Sequence, residues 1–153
     1  MRKATLCVII KDDKILLAMK RRGFGAGKWN GPGGKLKDED ETILDAATRE
    51  TEEEIGIKPR NIQEIGFISF YFPHNKDWDQ DVHIFMVKEW EGELKESEEM
   101  LPKWFDVKCI PFEDMWDDDK YWLLDVLKGK KIKKASFVFG QDGKVKKHNI
   151  EFS

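Results

Sequence analysis

Gly34–Ile57 reads GKLKDEDETILDAATRETEEEIGI, and the fold turns on how this stretch is taken. From Glu41 to Ile55 there are fifteen residues without glycine or proline, closed by Gly56 and then Pro59, which predicts a helix with its stop signals. Glu50, Glu53 and Glu54 stand at i, i+3 and i+4, so their carboxylates project to one side. Leu44, Ala47, Thr48, Thr51 and Ile55 form a separate, mostly apolar arc for burial against a sheet, and Asp45 and Glu52 are left for solvent. Hard oxygen donors gathered at one place suit Mg²⁺ or Mn²⁺, and Mg²⁺ commonly shares its shell with substrate phosphates. Alone, Thr51-Glu52-Glu53-Glu54 reads as readily as a solvated acidic face. Gly33-Gly34 upstream, and Arg49 at i, i+4 from Glu53, favour a ligand cluster with a guanidinium to orient it.

Upstream, Ala4 to Ile10 and Lys14 to Lys20 are β-rich runs joined by Lys11-Asp12-Asp13, two strands and a polar turn. The charged start Met1-Arg2-Lys3 has no small-residue cleavage site after it and reads as the head of the first strand. A glycine-rich loop then runs from Gly23 to Gly34, with Lys20-Arg21-Arg22, Lys28, Lys35 and Lys37 crowded about it. Its Gly23 to Lys28 is no standard nucleotide loop. A dinucleotide fingerprint needs glycine where Lys28 stands, and a P-loop needs glycine at Arg22 and Ser or Thr at Trp29. Downstream, strands are predicted at Glu64 to Phe72, Val82 to Trp90 and Lys103 to Val107, a second helix at Asp118 to Leu127, and a terminal hairpin from Ala135–Phe139 and Val145–Phe152. His74, His83, His148 and the two cysteines lack zinc-ligand spacing.

With 153 residues, 40% hydrophobic and 37% charged, the chain fits one compact domain, 1–153. No apolar run is long enough to span a bilayer. Cys7 and Cys109 lie far apart in apolar patterns, which suits free thiols and a cytoplasmic setting. A net charge of −3 offers no global attraction for nucleic acid or anionic membrane. The expected partner is a small nucleotide, bound by a monomer.

The stretch resembles the Nudix box, G-x5-E-x7-R-E-U-x-E-E-x-G-U with U apolar. Glu41, Arg49, Glu50, Glu53, Glu54, Gly56 and Ile57 fall at matching positions, while Thr51 replaces an apolar residue and one extra residue separates Gly34 from Glu41. The resemblance implies an α/β/α sandwich around a mixed sheet, and attack by metal-activated water on a diphosphate linkage. Beyond the box, GFGAGKWNG (23–31), DVHIF (81–85), ESEEM (96–100) and PFEDMWDDDKYW (111–122) resemble the subgroup acting on oxidised purine nucleoside triphosphates, 8-oxo-dGTP and 2-hydroxy-dATP. Pro32 and the last strand depart from it.

Carried over by position, the base pocket implied is Thr5, Phe24, Asn30, Phe70, Phe72, Trp116, Asp118, Asp119 and Trp122, with Lys20, Gly33 and Gly34 also at the substrate. Aromatic faces can stack on a purine while an amide and two carboxylates bond its edge. Neighbouring carboxylates raise the chance that one is protonated, supplying a donor beside an acceptor. Taken alone, Asp117-Asp118-Asp119 would instead complement a helix N-terminus, and the aromatics would be core. Metal ligands implied are Glu50, Glu53, Glu54, Glu99 and the Gly33 carbonyl, with Glu54 and Glu99 as candidates to take a proton and Arg49 beside them. Alternatives are a Nudix hydrolase of other diphosphate-linked substrates, or a non-catalytic nucleotide- or RNA-binding module.

Overall fold

The computed structural model describes residues 1–40 and 42–153, so the box position Glu41 lies outside the described residues. The two N-terminal runs form β1 (Arg2–Lys11) and β2 (Lys14–Lys20), antiparallel with Ile9 opposite Leu16. The glycine loop contributes the two-residue β3 (Trp29–Asn30), and the acidic stretch becomes α1 (Ile43–Ile55). There follow β4 (Ile57–Arg60), β5 (Gln63–Tyr71), β6 (Gln80–Val87), β7 (Glu89–Gly92) and β8 (Met100–Asp106). The chain then makes α2 (Asp119–Leu127) and the hairpin of β9 (Ile132–Phe139) and β10 (Val145–Phe152).

The main sheet runs β10-β9-β5-β6-β1-β2-β3, with β8 also paired to β2. It is mixed, because β1 and β6 run parallel, as do β5 and β9, while the other pairs are antiparallel. Strand parity divides β1 between two cores. Ala4 and Val8 join Ile68, Ile84, Phe137 and the α2 residues Trp122 and Val126; Cys7 and Ile9 join Leu16, Phe85 and the α1 residues Ala47 and Ile55. This is the expected sandwich. Among the described residues no helix is long and apolar enough to cross a membrane.

Three features differ from the sequence reading. The run Val82 to Trp90 is two strands: Lys88 separates β6 from β7, which leaves the main sheet to pair with β4. β4 itself includes Pro59, opposite Trp90; an edge strand tolerates a residue without an N–H, so the stop signal after α1 opens a strand. The third difference is the phase of α1. Leu44 is 43% exposed, whereas Ala46, Ala47, Thr51 and Ile55 are buried. The inward arc is rotated toward Glu50 and Glu54, so two carboxylates turn into the protein rather than away from it.

Local chemistry makes that rotation tolerable. Thr42 caps α1 by accepting from the Asp45 N–H at 3.1 Å, and Asp45 accepts from the Thr42 N–H in return, a reciprocal cap of about 1 kcal/mol. Gly56 ends the helix at φ 84° and donates to the Glu52 carbonyl. Thr51 occupies its apolar position at no polar cost, since its hydroxyl donates to the Ala47 carbonyl at 2.8 Å.

Candidate active site

Gly31 to Leu36 runs beside the free edge of β1. Pro32 and Gly34 accept from the N–H groups of Cys7 and Thr5, and Leu36 donates to Lys3. Extended backbone turns alternate residues to opposite sides, so Gly33 aims its N–H and carbonyl away from β1. Its N–H meets the carboxylate of Glu54. The Gly33-Gly34 pair is required by space. A Cβ on Gly33 would overlap the Thr5 carbonyl, and one on Gly34 would overlap the Glu50 carboxylate. Gly33→Ala should therefore lift this segment off β1; we expect about 1–3 kcal/mol of lost stability in urea unfolding, together with loss of activity. A variant as stable and active as the parent would show that the close approach is dispensable.

Arg49 fastens the helix to the loop. It grips Asp40 with two bonds of 2.8 Å, reaches Glu50 at 2.9 Å and Glu53 at 3.1 Å, and donates to the Lys35 carbonyl at 3.2 Å. The guanidinium, aided by the Lys37 N–H, holds the Asp40 carboxyl down at about 2. Asp40 was not among the residues singled out from the sequence.

The four expected carboxylates do not form a ready cage. Among the described residues no three Asp, Glu, His or Cys side chains converge as a metal site. Arg49 engages Glu50 and Glu53, Glu54 is drawn to Gly33, and Glu99 sits exposed on the loop before β8. That loop is held by Arg21, whose guanidinium bonds Glu96 and the Ser97 carbonyl at 2.8 Å and whose N–H donates to the Glu99 carbonyl. The physical reason is mutual repulsion. Burial, then the charge of Glu50, raises the Glu54 carboxyl to about 8, against the pull of the Gly33 N–H and Lys20. Hard oxygens under like-charge strain beside a free-facing carbonyl are a donor set that fits a divalent cation.

On the α2 side of the sheet lies a cavity of about 250 Å³. It collects Thr5, Lys20, Phe24, Asn30, Gly33, Gly34, Phe70, Phe72, Trp116, Asp118 and Asp119 from the sequence-based set, together with Glu54. Phe24 stands 4.9 Å from Trp78 and 5.2 Å from Trp116, and Phe72 stacks on Phe139 at 5.2 Å. The Asn30 carbonyl oxygen accepts from the Gly31 N–H, which leaves its amide donors for a ligand. Thr5 both donates to and accepts from Gly34, so its hydroxyl ties the cavity wall to the glycine pair.

Trp122 stands apart from the other expected pocket residues. It is 1% exposed and lies outside the cavity lining, and its indole N–H donates to Asp118 at 2.8 Å. It packs in the core and orients Asp118, a lining residue. Sequence reasoning missed Gln80, Phe139, Lys28 and Lys35 as lining residues. The two lysines belong to the basic stretch already noticed, and Phe139 alternates with Phe137, a period-two signal that could have put it on the same face. Gln80 carried no signal. The arginines of that stretch go elsewhere, Arg21 to Glu96 and Arg22 to Glu98.

Asp118 and Asp119 are 4% and 3% exposed. Burial raises the Asp118 carboxyl to about 6 despite the Trp122 N–H, and burial with the Asp118 charge raises Asp119 well above the usual carboxylate range. One Asp119 oxygen is buried without a partner. Asp117, by contrast, is a clasp: it accepts from the Val145 N–H at 2.8 Å and pairs with Lys120 at 3.0 Å, tying the hairpin to the start of α2.

An acid-bearing helix against a glycine loop, over a mixed sheet with helices on both sides, defines a class, and comparison agrees: the NUDIX domain family matches residues 1–126. The chain belongs to the Nudix family. It is 47% identical over 128 residues to the oxidized purine nucleoside triphosphate hydrolases of Mus musculus and Danio rerio, covering 84% of this chain and 81% of each relative. The crystal structure of the mutator MutT protein from Bacillus halodurans superimposes with a TM-score of 0.86 at 27% identity, covering 99% of this chain and 98% of that one.

Proposed function

We propose that the protein hydrolyses oxidised purine nucleoside triphosphates to the monophosphate and pyrophosphate with Mg²⁺. The observation that carries this is the buried pair Asp118 and Asp119 in the lining of an aromatic cavity that Glu54 also lines. An unmodified purine offers fewer groups that need a donor and an acceptor side by side. With one carboxyl protonated and the other ionised, the pair supplies both, and exchange of the proton lets one pocket take either 8-oxo-dGTP or 2-hydroxy-dATP. Phe24 and Trp116 sandwich or shield the ring, and the Asn30 amide donates to its edge. Lys20, Lys28 and Lys35 draw the triphosphate along the cavity toward Glu54.

Glu50, Glu53, Glu54 and the Gly33 carbonyl, with Glu99 supplied by its loop, would hold the cation. A divalent ion bound there would supply charge neutralisation at the phosphates and activation of water. Arg49 orients Glu50 and Glu53, and we assign acceptance of the water proton to Glu54, which alone of these carboxylates lines the cavity. The names of the mammalian and fish relatives, and the free thiols Cys7 and Cys109, support a pool-sanitising enzyme of the reducing cytoplasm. We take residues 1–153 as one unit, since β9 and β10 pair into the same sheet as β5 and β1, and we propose that it acts as a monomer.

The test is pyrophosphate release in Mg²⁺ from 8-oxo-dGTP, 2-hydroxy-dATP and dGTP, by the parent chain and by Glu53→Gln. The expected result is preference for an oxidised purine, with turnover abolished by the substitution. Equal rates on all three would defeat the reading of the pocket, and turnover that survives chelation of metal would defeat the reading of the helix.

A further inference from the structure

The connection from β5 to β6, Phe72 to Asp79, reads FPHNKDWD and folds back on itself. The Phe72 carbonyl accepts from the Asn75 N–H at 2.8 Å, and a single 3-10 turn spans Lys76–Trp78. The Asp79 carboxylate then accepts from the Phe72 N–H at 2.6 Å, so the last residue of the connection closes on the first. This closed turn presents Trp78. Its ring meets Phe72 edge-on at 5.7 Å and lies 4.9 Å from Phe24, tilted by 46°. Trp78 is half-buried and lies outside the lining of the cavity, whereas Phe72 and Phe24 both line it.

The two lining rings are held very differently. Phe72 is 4% exposed and stacks on Phe139, so the core sets its position. Phe24 is 44% exposed and stands between Gly23 and Gly25, each at φ 83°, in a backbone with wide conformational freedom. The backbone hydrogen bonds of Gly23 to Lys28 stay within that segment or return to Lys20 at the end of β2, so among the described residues none of them fixes Phe24 over the cavity. Ring contacts do so instead, with Trp116 at 5.2 Å and with Trp78. Trp116 itself lines the cavity and is open to a ligand, which leaves Trp78 as the contact that ties Phe24 to the core from outside. Cover for the sheet core would account for the meeting of Trp78 with Phe72, but not for its closer approach to Phe24 on a different loop.

We infer that Trp78 is a positioning residue of the base pocket, clamping Phe24 to Phe72 so that the exposed ring is in place before a purine arrives. The inference rests on the reading of the cavity as a purine pocket. The succession Phe139, Phe72, Trp78, Phe24 carries the rigidity of the sheet out to the glycine loop. A ring ordered beforehand costs less to immobilise when a ligand binds, so the clamp strengthens binding of the base. The base is held alike in substrate and transition state, and Trp78 touches none of the acidic groups on α1. Its loss therefore falls on KM and spares kcat.

Steady-state hydrolysis of 8-oxo-dGTP in Mg²⁺ by the full chain tests it, with Trp78→Leu, Trp78→Phe, Phe24→Ala and the combination of Phe24→Ala with Trp78→Leu. Leucine keeps an apolar cover over Phe72 but has no ring face; urea unfolding checks that each variant is folded, and Trp78→Met takes its place where leucine unfolds the chain. Trp78→Leu should raise KM about threefold to tenfold with kcat within about twofold of the parent, and Trp78→Phe should recover most of the loss. Once Phe24 is alanine, Trp78→Leu should change KM by less than about twofold, because the ring through which it acts is gone. A residue that only supports the fold would multiply its effect with that of Phe24→Ala. The inference is overturned by an unchanged KM in Trp78→Leu, by a fall in kcat without a rise in KM, or by independent effects in the combined variant. In each of those outcomes the parent still turns over and the reading of the cavity stands. A parent that hydrolyses no purine nucleoside triphosphate removes that reading and this inference together.

Discussion

Glu54→Gln is expected to cut metal-dependent pyrophosphate release by about 10²–10⁴-fold without loss of fold. The carboxylate lines the cavity, receives the Gly33 N–H and lies in the field of Glu50 and Glu53. Glutamine keeps the volume and an acceptor for that N–H, but it has no negative charge for a cation and no basic oxygen for a proton. The same exchange removes a charge that burial and Glu50 both oppose, so thermal unfolding without metal should not fall. Rate and stability thus separate, which a merely structural glutamate would not allow. Activity within tenfold of the parent would remove Glu54 from the chemistry and leave Glu99 as the remaining acceptor.

The second large effect is on stability and concerns the pocket floor. Asp118 titrates near 6 in the folded protein against 3.8 for its ordinary value, and Asp119 is raised further in the same sense. Between those values the folded state binds more protons than the unfolded one, so stability falls as pH rises through the window. Below it the penalty vanishes; above it the penalty is complete, about 3 kcal/mol for Asp118 alone. Asp119→Asn should accordingly be more stable than the parent at pH 7.5, with the gain shrinking toward pH 4. Urea unfolding at the two pH values measures it. The neutral amide donates and accepts without a mobile proton, so this variant should also lose the ability to accept both oxidised purines equally. A gain independent of pH would mean that the pair is not held protonated by burial.

Periodicity accounts for the elements that were legible in advance. β1, β2, α1, α2 and the terminal hairpin each have a run long enough to show a period, and the structure places them within a few residues of the expected bounds. β3 has two residues and β4 four, one of them proline, too few for any period to emerge. The phase of α1 could not be read from apolar residues alone. A side chain at Gly34 would overlap the Glu50 carboxylate, so its absence makes room for Glu50 to turn inward where Leu44 was expected to.

The site divides in the same way. The acidic helix and Arg49 are contiguous, so spacing revealed them; Asp40, its strongest partner, stands nine residues back across a loop, where no helical spacing applies. The aromatic cavity is assembled from β5, the glycine loop, β9 and the segment before α2, and only resemblance brought Phe24, Phe70, Phe72 and Trp116 together beforehand. Trp122 shows the limit of such transfer: a motif gives a position but not the direction of the side chain, which here is buried in the core and bonded to Asp118.

One strand, β1, borders both ends of this arrangement. Its even residues Ala4 and Leu6 line the cavity while its edge holds the loop bearing Gly33 and Gly34. Seating a base and presenting an anhydride to Glu54 are therefore measured from a common rigid ruler. On the proposed reading, a nucleotide fixed by its ring has its phosphate chain gauged for length, and the bond that is cut is selected by distance from the base and not by any recognition of the phosphates one from another.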